Sequence, residues 1–420
     1  MNLLVDTCEH TKIEQEFSEE KLKEFNKLFD NSDATYLGLH QEFDNFEVVL
    51  KSHYYIGYRW IDDSYIHVSP KYHYDHQADY LEMFLLCLKD PIVSKKLDET
   101  YKIFFDEKWI EKEDDKDEIT PLIILHFLKI IEKLIQKGLK KGYIKVTENL
   151  TSKIKGKISI NQTIKQNHFK NRFDKTVCTY QLYTVNCLEN QILKTALLQC
   201  ARNLNGIQND DISKTLRKNI SAFEQIETKE VFANDFTKIK YSPFFKEYQE
   251  ALKLADMILK RFGFTLNSSA TKLKHKIPPF YIDMPELFER YVEVKLREKY
   301  KNHLQAGYSR KDGNSYTWGL RPDFIVKDKK LIIDAKYKYW FENSDKNNKF
   351  KDDYQQLSLY GRVKEIREDI NLSSNEEATL IFIYPLKDAG EDINIDSIQP
   401  SSEFNNIKKV GISIPVTKQT

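Results

Sequence analysis

Cysteine is scarce in this sequence, and its spacing gives no sign of a metal or redox motif. Five cysteines occur among 420 residues, and no two of them have the C-x-x-C spacing that zinc sites and dithiol motifs use. We therefore expect neither a zinc site nor a disulfide framework, and interpret the thiols as reduced, partly buried side chains of a cytosolic protein. They are Cys8, Cys87, Cys178, Cys187 and Cys200.

Membrane-spanning runs and a phosphate-binding loop are also missing. No uncharged apolar run is long enough to span a bilayer, and the opening Met-Asn-Leu-Leu-Val-Asp lacks the basic and apolar regions of a signal peptide. No Gly-x-x-x-x-Gly-Lys-[Ser/Thr] motif occurs, so any nucleotide hydrolysis must come from another chain. We expect a cytoplasmic protein without membrane contact.

Net charge is nearly absent, because 65 Lys and Arg residues face 64 Asp and Glu residues. Overall charge therefore does not indicate a nucleic-acid binder, and a DNA-binding surface would have to come from local segregation. Residues 133–175 carry twelve basic residues and only two acids, Glu148 and Asp174. This basic strip (133–175) is interpreted either as a surface for a DNA backbone or a partner, or as an ordinary Lys-rich solvated face.

Hydrophobic periodicity predicts a mixed chain of helices and short strands. Strands are indicated early in the sequence, and helices dominate the middle of it. The strands are expected at 46–50, 54–58 and 65–68, and the helices at 18–29, 80–88, 122–135, 188–197, 212–223 and 244–259. Two polar loops are expected at 111–118 and 342–351.

The most informative pattern is a β-hairpin at 321–336. Apolar runs at 324–326 and 331–333 flank a polar tetrapeptide, which is a strand–turn–strand signal. With the middle two residues of that tetrapeptide at the turn, Asp323 and Asp334 lie directly opposite each other. Their Cβ atoms would be roughly 4.5–5.5 Å apart on one face of the sheet.

The opposed aspartates predict a metal site. Two carboxylates at this separation repel, and one pKa should rise unless a cation lies between them. Oxygen ligands of this kind suit Mg²⁺ or Mn²⁺. Such an ion lowers the pKa of a bound water and neutralises charge on a phosphodiester. Lys336 follows Asp334 by two residues and so shares its face, where it can stabilise the transition state or orient the attacking water.

The alternative interpretation is an ordinary edge hairpin with charges facing solvent. Glu-x-Lys and Asp-x-Lys triplets also occur at 19–21 and 106–108, where solvated faces are expected. The hairpin differs from these because it combines Pro-Asp on one strand, an apolar run into Asp-Ala-Lys on the next, and cross-strand register.

These residues resemble a known nuclease family. Pro322-Asp323 with Asp334-Ala335-Lys336 is similar to the PD-(D/E)xK signature. Three further segments resemble consecutive elements of McrC, the nuclease subunit of the McrBC modification-dependent restriction systems. They are similar to the helix that opens its nuclease domain, the helix after the core and the next strand, at 282–292, 353–360 and 380–385. Weaker resemblances to McrC occur at 55–58, 66–71, 150–160 and 188–197.

The resemblance implies a set of metal ligands and catalytic groups. The ligands of a Mg²⁺ ion would be Asp323, Asp334, the backbone carbonyl of Ala335 and Glu289, with Lys336 as the catalytic cation. Glu289 stands in Leu-Phe-Glu on the opening helix. The neighbouring glutamates of that helix, Glu286 and Glu293, are further candidates for the third acid.

Gln356 and Tyr360 are also implied as site residues. They are four residues apart, so on a helix they share one face. Gln356 would contact DNA or a metal-bound water, and Tyr360 would hold Gln356 or a phosphate. The alternative role for both residues is packing.

The resemblance further implies an α+β multidomain fold. We expect an N-terminal mixed strand and helix domain that binds a partner at 1–165, a helical connector at 166–275, and a restriction-endonuclease-like α/β domain with a central mixed sheet at 276–420. In the opening helix of that domain, Leu287, Tyr291 and Val294, or Phe288 and Val292, are expected to face the sheet.

The function so implied is that of a Mg²⁺-dependent DNA endonuclease subunit in phage defence. Its partner would be a hexameric AAA+ GTPase of the McrB type, which binds the N-terminal part, is stimulated by it, and recognises methylated cytosine in double-stranded DNA. Three alternatives stay open: a stand-alone PD-(D/E)xK defence or repair nuclease, a non-cleaving adaptor of a motor ATPase, and a nucleic-acid scaffold acting through the basic strip.

Overall fold

A computed structural model of the chain describes most of its residues, and every structural statement below concerns those residues alone. They are 2–13, 37–44, 47–73, 76–104, 107–112, 119–203, 210–239, 246–262, 275–306, 320–338, 351–373, 375–386 and 406–416. The expected helix at 18–29 lies outside these ranges, as do most of the two expected polar loops.

The β-strands are short, as expected for a chain of mixed class. In chain order they are β1 Asn2–Cys8, β2 His40–Asp44, β3 Glu47–Lys51, β4 Tyr55–Ile61, β5 Ser64–Ser69, β6 Tyr72–His73, β7 His76–Gln77, β8 Tyr101–Ile103, β9 Ile110–Lys112, β10 Gly142–Thr151, β11 Lys157–Ile158, β12 Lys175–Thr184, β13 His275–Ile277, β14 Phe280–Asp283, β15 Leu304–Ala306, β16 Phe324–Val326, β17 Leu331–Ala335, β18 Thr379–Pro385 and β19 Ile407–Ile412.

The α-helices match the periodic segments of the sequence, and their ends differ from the expected ones by a few residues. They are α1 Tyr80–Lys89, α2 Ile119–Lys137, α3 Ile160–Gln166, α4 Leu188–Asn203, α5 Asp210–Ala222, α6 Ala233–Thr237, α7 Lys246–Phe262, α8 Met284–Tyr300, α9 Lys351–Tyr360 and α10 Lys364–Asp369. No helix of the described part is both long enough and apolar enough to cross a membrane. All five cysteines are free thiols, four of them buried and Cys8 half-buried.

The chain forms two compact units. One comprises residues 1–110 and 278–420, and the other comprises 111–277. This division differs from the expected domains at 1–165, 166–275 and 276–420. Strand β14, which the sequence analysis assigned to the C-terminal domain, pairs with β4 and β8 near the N-terminus and so joins both ends of the chain in one sheet.

The first sheet of the 1–110/278–420 unit has the strand order β1-β5-β4-β14-β8. Strand β1 runs parallel to β5, and the remaining pairs are antiparallel. Gly57 in β4 lies between Val68 and Tyr281 of the neighbouring strands. Its φ is +135°, and a Cβ at this position would lie 2.3 Å from the carbonyl oxygen of Phe280. Only glycine therefore allows β14 to approach so closely.

The second sheet of this unit carries the candidate site, and its strand order is β15-β16-β17-β18-β19. β15, β16 and β17 are antiparallel, whereas β17, β18 and β19 run parallel. The expected central mixed sheet is thus present. Helices α9 and α10 cover one face, where Leu357, Tyr360 and Ile366 pack against Ile325 and Ile332.

Helix α8 also belongs to this unit and packs against the second sheet. Leu287, Phe288, Tyr291, Val292 and Val294 are all buried. Burial alone does not decide which of the two sets faces the sheet, because the helix also packs against α1. Its start differs from the expected one at 282. The chain is still in β14 there, and Asp283 instead caps the helix by accepting a hydrogen bond from the Glu286 N–H at 3.1 Å.

The 111–277 unit is not the purely helical connector expected at 166–275. Helices α2, α4, α5 and α7 pack together, but β12 pairs along its whole length with β10 and also with β11. This sheet and the segments that connect its strands leave large apolar side chains in solvent. The most exposed of them here are Tyr143, Ile154, Ile160, Phe169, Phe173 and Tyr183.

The close approach of β14 at Gly57 predicts a specific stability effect. Gly57→Ala should lower the free energy of unfolding by about 2 kcal/mol or more, since the new methyl group meets backbone and the φ is unfavourable. Gly138→Ala is the matched control because Gly138 also has a positive φ but no atom within 4 Å of a built Cβ. It should cost about 1 kcal/mol. Urea unfolding of both variants measures the difference, and equal losses would contradict the steric argument.

Candidate active site

The hairpin has the register that the sequence predicts. Phe324 lies opposite Ile333, and Val326 lies opposite Leu331. The N–H of Lys330 donates to the carbonyl oxygen of Lys327 at 3.2 Å and closes the turn. The same register, extended by one residue pair, places Asp323 opposite Asp334. The regular pairing is shorter than expected, since β16 begins at Phe324 and β17 ends at Ala335.

Each of the two aspartates is held at the end of the hairpin by a contact of its own. An Asp323 Oδ2 atom accepts a hydrogen bond from the N–H of Ala335 at 2.7 Å. Asp334 is only 1% exposed, and its Oδ2 lies 2.7 Å from Nζ of Lys336. Asp334 and Lys336 therefore share one face, as their spacing of two residues predicts.

Lys336 also contacts the helix that covers the sheet. Its Nζ donates to Oε1 of Gln356 at 3.2 Å. Nε2 of Gln356 donates to the hydroxyl of Tyr360 at 2.8 Å, and that hydroxyl donates to the carbonyl oxygen of Arg321 at 3.1 Å. The structure therefore brings Gln356 and Tyr360 to the predicted site. Tyr360 is buried in the core of the sheet, so it has the packing role as well.

Of the three candidate glutamates on helix α8, Glu286 and Glu289 both line one pocket, whereas Glu293 lies apart from it. Glu293 is fully buried and pairs with Lys96, Arg290 and Arg297 at 3.2, 3.2 and 2.6 Å. Glu286 pairs with Arg290. Glu289 lies 3.3 Å from Arg290 but also lines the pocket together with Asp323 and Lys336.

That pocket is the candidate active site. Its volume is about 270 Å³. One wall comes from the first turn of α8 and the strand before it, and another from the end of the hairpin. The lining residues are Tyr54, Asp283, Pro285, Glu286, Glu289, Asp323, Ala335, Lys336, Tyr337 and Lys338.

The carboxyl groups of the site hold their protons more tightly than usual. Burial raises the pKa of Asp323 well above its ordinary value, and the charges of Asp334 and Glu289 raise it further. Burial also raises the pKa of Glu289 to about 7, against the effect of Arg290. The pKa of Asp334 is raised by burial despite Lys336. Conversely, burial acts to lower the pKa of Lys336, but the two aspartates outweigh it and the pKa is raised.

The donor set at the pocket suits a hard divalent cation. Buried carboxyl groups that raise each other's pKa would be relieved by a positive charge between them, and carboxylate and carbonyl oxygens are the ligands that Mg²⁺ and Mn²⁺ prefer. Within the described ranges, however, no three His, Cys, Asp or Glu side chains already converge as an assembled metal site. Asp334 is instead paired with Lys336.

Sequence reasoning missed several residues of the pocket. Tyr54 and Asp283 line it from the first sheet and its connection to α8, and Tyr337 lines it from the end of the hairpin. The sequence analysis treated Tyr54 only as a strand residue. No local spacing links it to the hairpin, because the two segments meet only through the sheet that β14 completes.

The basic strip lies in the 111–277 unit, and the structure leaves both of its interpretations open. Most of its side chains between 151 and 175 are exposed. Some of its lysines are used within the unit, since Lys137 pairs with Glu247 and Lys140 pairs with Glu189 at 2.6 Å.

The architecture and the site define a mixed α/β protein with a buried acidic centre next to a lysine. The family model of the McrBC 5-methylcytosine restriction system component matches residues 50–382. The chain therefore belongs to the McrBC family, as the sequence motifs predicted. No curated protein matches it.

Two solved structures from Thermococcus gammatolerans are similar at low identity. One is a half-complex of the tetradecameric assembly of McrB AAA+ hexamers with bound McrC, with 14% identity over 97% of this chain and 94% of that one, and a TM-score of 0.37. The other is the McrBC complex, with 15% identity over 70% of this chain and 86% of that one, and a TM-score of 0.32.

Repulsion between the crowded carboxyl groups should lower the free energy of unfolding when no metal is bound. Asp323→Asn keeps an oxygen that can accept the Ala335 N–H but removes the repelling charge. Without divalent ions it should raise the free energy of unfolding by about 1 kcal/mol. The matched control is Asp328→Asn, at the exposed turn of the same hairpin, with an effect within about 0.5 kcal/mol. Urea unfolding in the presence of EDTA measures both. A destabilised Asp323→Asn protein would contradict the repulsion argument.

Proposed function

We propose that this chain is the Mg²⁺-dependent DNA endonuclease subunit of a modification-dependent restriction system. The observation that carries the proposal is the cluster of Asp323, Asp334 and Lys336 at the end of one hairpin, with Glu289 lining the same pocket. Membership of the McrBC family supports the wider assignment, and the order Pro-Asp…Asp-Ala-Lys supports the PD-(D/E)xK class.

The residues that would hold the metal are Asp323, Asp334, Glu289 and the backbone carbonyl of Ala335. When bound, Mg²⁺ or Mn²⁺ supplies a water of lowered pKa and neutralises charge on the phosphodiester. The chain itself places oxygen donors of both hairpin strands and of α8 around one pocket. Because the carboxyl groups are buried, their attraction for a cation is weakly screened by solvent.

Lys336 is the proposed catalytic cation. Its ammonium group lies 2.7 Å from Asp334 and hydrogen-bonds to Gln356, so it is fixed from two directions. With the metal holding Asp334, Lys336 is available to the phosphate oxygens of the substrate and stabilises the charge that develops there. Gln356, which is itself hydrogen-bonded to Tyr360, helps to hold this amine beside Asp334.

We further propose that a hexameric AAA+ GTPase of the McrB type is the partner. The sequence contains no phosphate-binding loop of its own. It belongs to a family whose description is a component of the McrBC restriction system. The N-terminal part would bind the partner and stimulate its GTP hydrolysis, and recognition of methylated cytosine in double-stranded DNA would lie on the partner.

Removal of the central charged groups should abolish DNA cleavage. Asp334→Ala and Lys336→Ala should each lower the cleavage rate by about 100-fold or more without loss of folding or of GTPase stimulation. Asp328→Ala, which removes an exposed carboxylate at the far end of the same hairpin, should cleave normally.

The assay uses methylated and unmethylated DNA with Mg²⁺ and GTP, with and without the co-purified GTPase partner. Normal cutting by the Asp334→Ala protein would refute the site. Robust cutting by the purified chain alone, without GTP, would instead favour a stand-alone nuclease.

Metal binding should be visible without any cleavage. Since Mg²⁺ relieves the repulsion between the carboxyl groups of the folded protein only, it should raise Tm, and a concentration of 100 Kd would stabilise the fold by about 2.7 kcal/mol. Asp323→Asn should lose most of this shift, whereas Asp328→Asn should keep it. An equal Mg²⁺-dependent shift in the two variants would count against Asp323 as a ligand.

A further inference from the structure

Glu9 is a fully buried carboxyl group that lies outside the proposed catalytic cluster. It directly follows β1, and its backbone N–H donates to the carbonyl oxygen of Ser69 at 2.9 Å. Oε1 accepts two hydrogen bonds, from the N–H of Lys71 at 3.1 Å and from the hydroxyl of Tyr337 at 2.8 Å. Oε2 is buried without a hydrogen-bond partner among the described residues.

Tyr337 connects this carboxyl group to the pocket. It is the next residue after Lys336, is 5% exposed, and lines the pocket itself. Its ring lies against Phe288 of α8 and Tyr54, with ring centroids 5.6 and 6.1 Å away. These contacts help to bury the ring of the tyrosine whose hydroxyl reaches Glu9.

Contacts with two separate parts of the chain hold the segment 336–338 in place. It lies beyond β17, so it no longer has the full pairing of the sheet. Lys336 and Lys338 reach α9, where they contact Gln356 at 3.2 Å and Asp353 at 2.7 Å. Tyr337 lies between these two residues in the chain, and its hydroxyl donates to Glu9 rather than contacting α9.

We propose that Glu9 is a positioning residue of the nuclease site, which holds Tyr337 and through it fixes the backbone that carries Lys336 and the carbonyl of Ala335. This inference rests on the proposed function for its catalytic meaning. Part of the site would then come from the residue that follows the first strand of the chain, outside the 276–420 segment that carries the nuclease motif.

The chemistry of the pair fits a positioning role. The hydrogen bond that a phenol donates to a carboxylate is shorter and stronger than one between two neutral groups. Burial raises the pKa of Glu9 to about 7, against the hydrogen bonds from Lys71 and Tyr337. A buried acid with one unpartnered oxygen is unfavourable for folding, whereas an apolar side chain would fill this position without that cost.

The test compares two buried tyrosines of the same unit. Tyr337→Phe removes the hydroxyl that contacts Glu9 and keeps the ring. Tyr291→Phe is the matched control, because Tyr291 is 4% exposed and its hydroxyl donates to the carbonyl oxygen of Ser413, also at 2.8 Å. Both variants should lose similar stability in a thermal melt, so any further difference between them reports the role of Tyr337.

Cleavage of plasmid DNA at saturating Mg²⁺ by the full complex gives the first readout. Tyr337→Phe and Glu9→Ala should each lower kcat about tenfold and leave KM for DNA within about twofold. Tyr291→Phe should keep kcat within about twofold. Glu9→Gln retains an acceptor oxygen and should recover most of the rate that Glu9→Ala loses. The double variant Glu9→Ala/Tyr337→Phe should be no slower than Glu9→Ala, since the two groups act as one unit.

Hydrogen exchange of the metal-free chain gives a second readout that does not depend on cleavage. The N–H groups of Lys336 and Lys338 donate to the carbonyl oxygens of Ile383 and Lys336, both at 2.8 Å. Their exchange should become about fivefold faster in Tyr337→Phe and Glu9→Ala, and stay unchanged in Tyr291→Phe.

The two readouts separate this inference from the proposed function. Unchanged exchange at 336–338 overturns the positioning role, whatever the cleavage rates are. Faster exchange with an undiminished kcat overturns it too, because the position of Lys336 would then not depend on Glu9. If the unaltered complex shows no Mg²⁺-dependent cleavage, the proposed function fails, and the exchange comparison alone decides whether Glu9 fixes the segment.

Discussion

The repulsion between carboxyl groups at the end of one hairpin is the constraint on which the site depends. The register of β16 and β17, continued by one residue pair, brings Asp323 opposite Asp334, and Glu289 of α8 lines the same pocket as Asp323. Burial makes each negative charge more costly. The pKa values of the carboxyl groups are therefore raised, and the site is unfavourable for the stability of the fold. Lys336 offsets part of the cost through its contact with Asp334. A cation placed between these carboxyl groups would relieve their repulsion.

The parts of the site that could be predicted are those set by local periodicity. A strand alternates its side chains, so the spacing of Asp334 and Lys336 fixes their common face. The turn fixes the register, and the register fixes Asp323. A helix returns to the same face after four residues, which brings Gln356 and Tyr360 together. Each inference needs no more than a few neighbouring residues. The structure confirms the contact of Asp334 with Lys336 and that of Gln356 with Tyr360.

The parts that could not be predicted depend on segments far apart in the chain. From its place in the sequence, strand β14 is expected to begin a C-terminal domain. In the structure it pairs with β4 and β8, which lie near the N-terminus. The hydrogen bond between Glu9 and Tyr337 joins residues even farther apart in the chain, and no spacing in the sequence predicts it. Strand β12 lacks the alternation of a half-buried strand, and β10 alternates only over residues 142–147, so local pattern gave a weak signal for this sheet.

The place of β14 in the middle of its sheet has a consequence for synthesis of the protein. On the ribosome, β4 emerges early, and the strand that must lie between it and β8 emerges only after all of 111–277 has been made. At roughly 5–20 residues per second this delay is on the order of ten seconds or longer. During that time the nascent chain carries strands with unpaired backbone edges, which are the surfaces that chaperones must shield from aggregation.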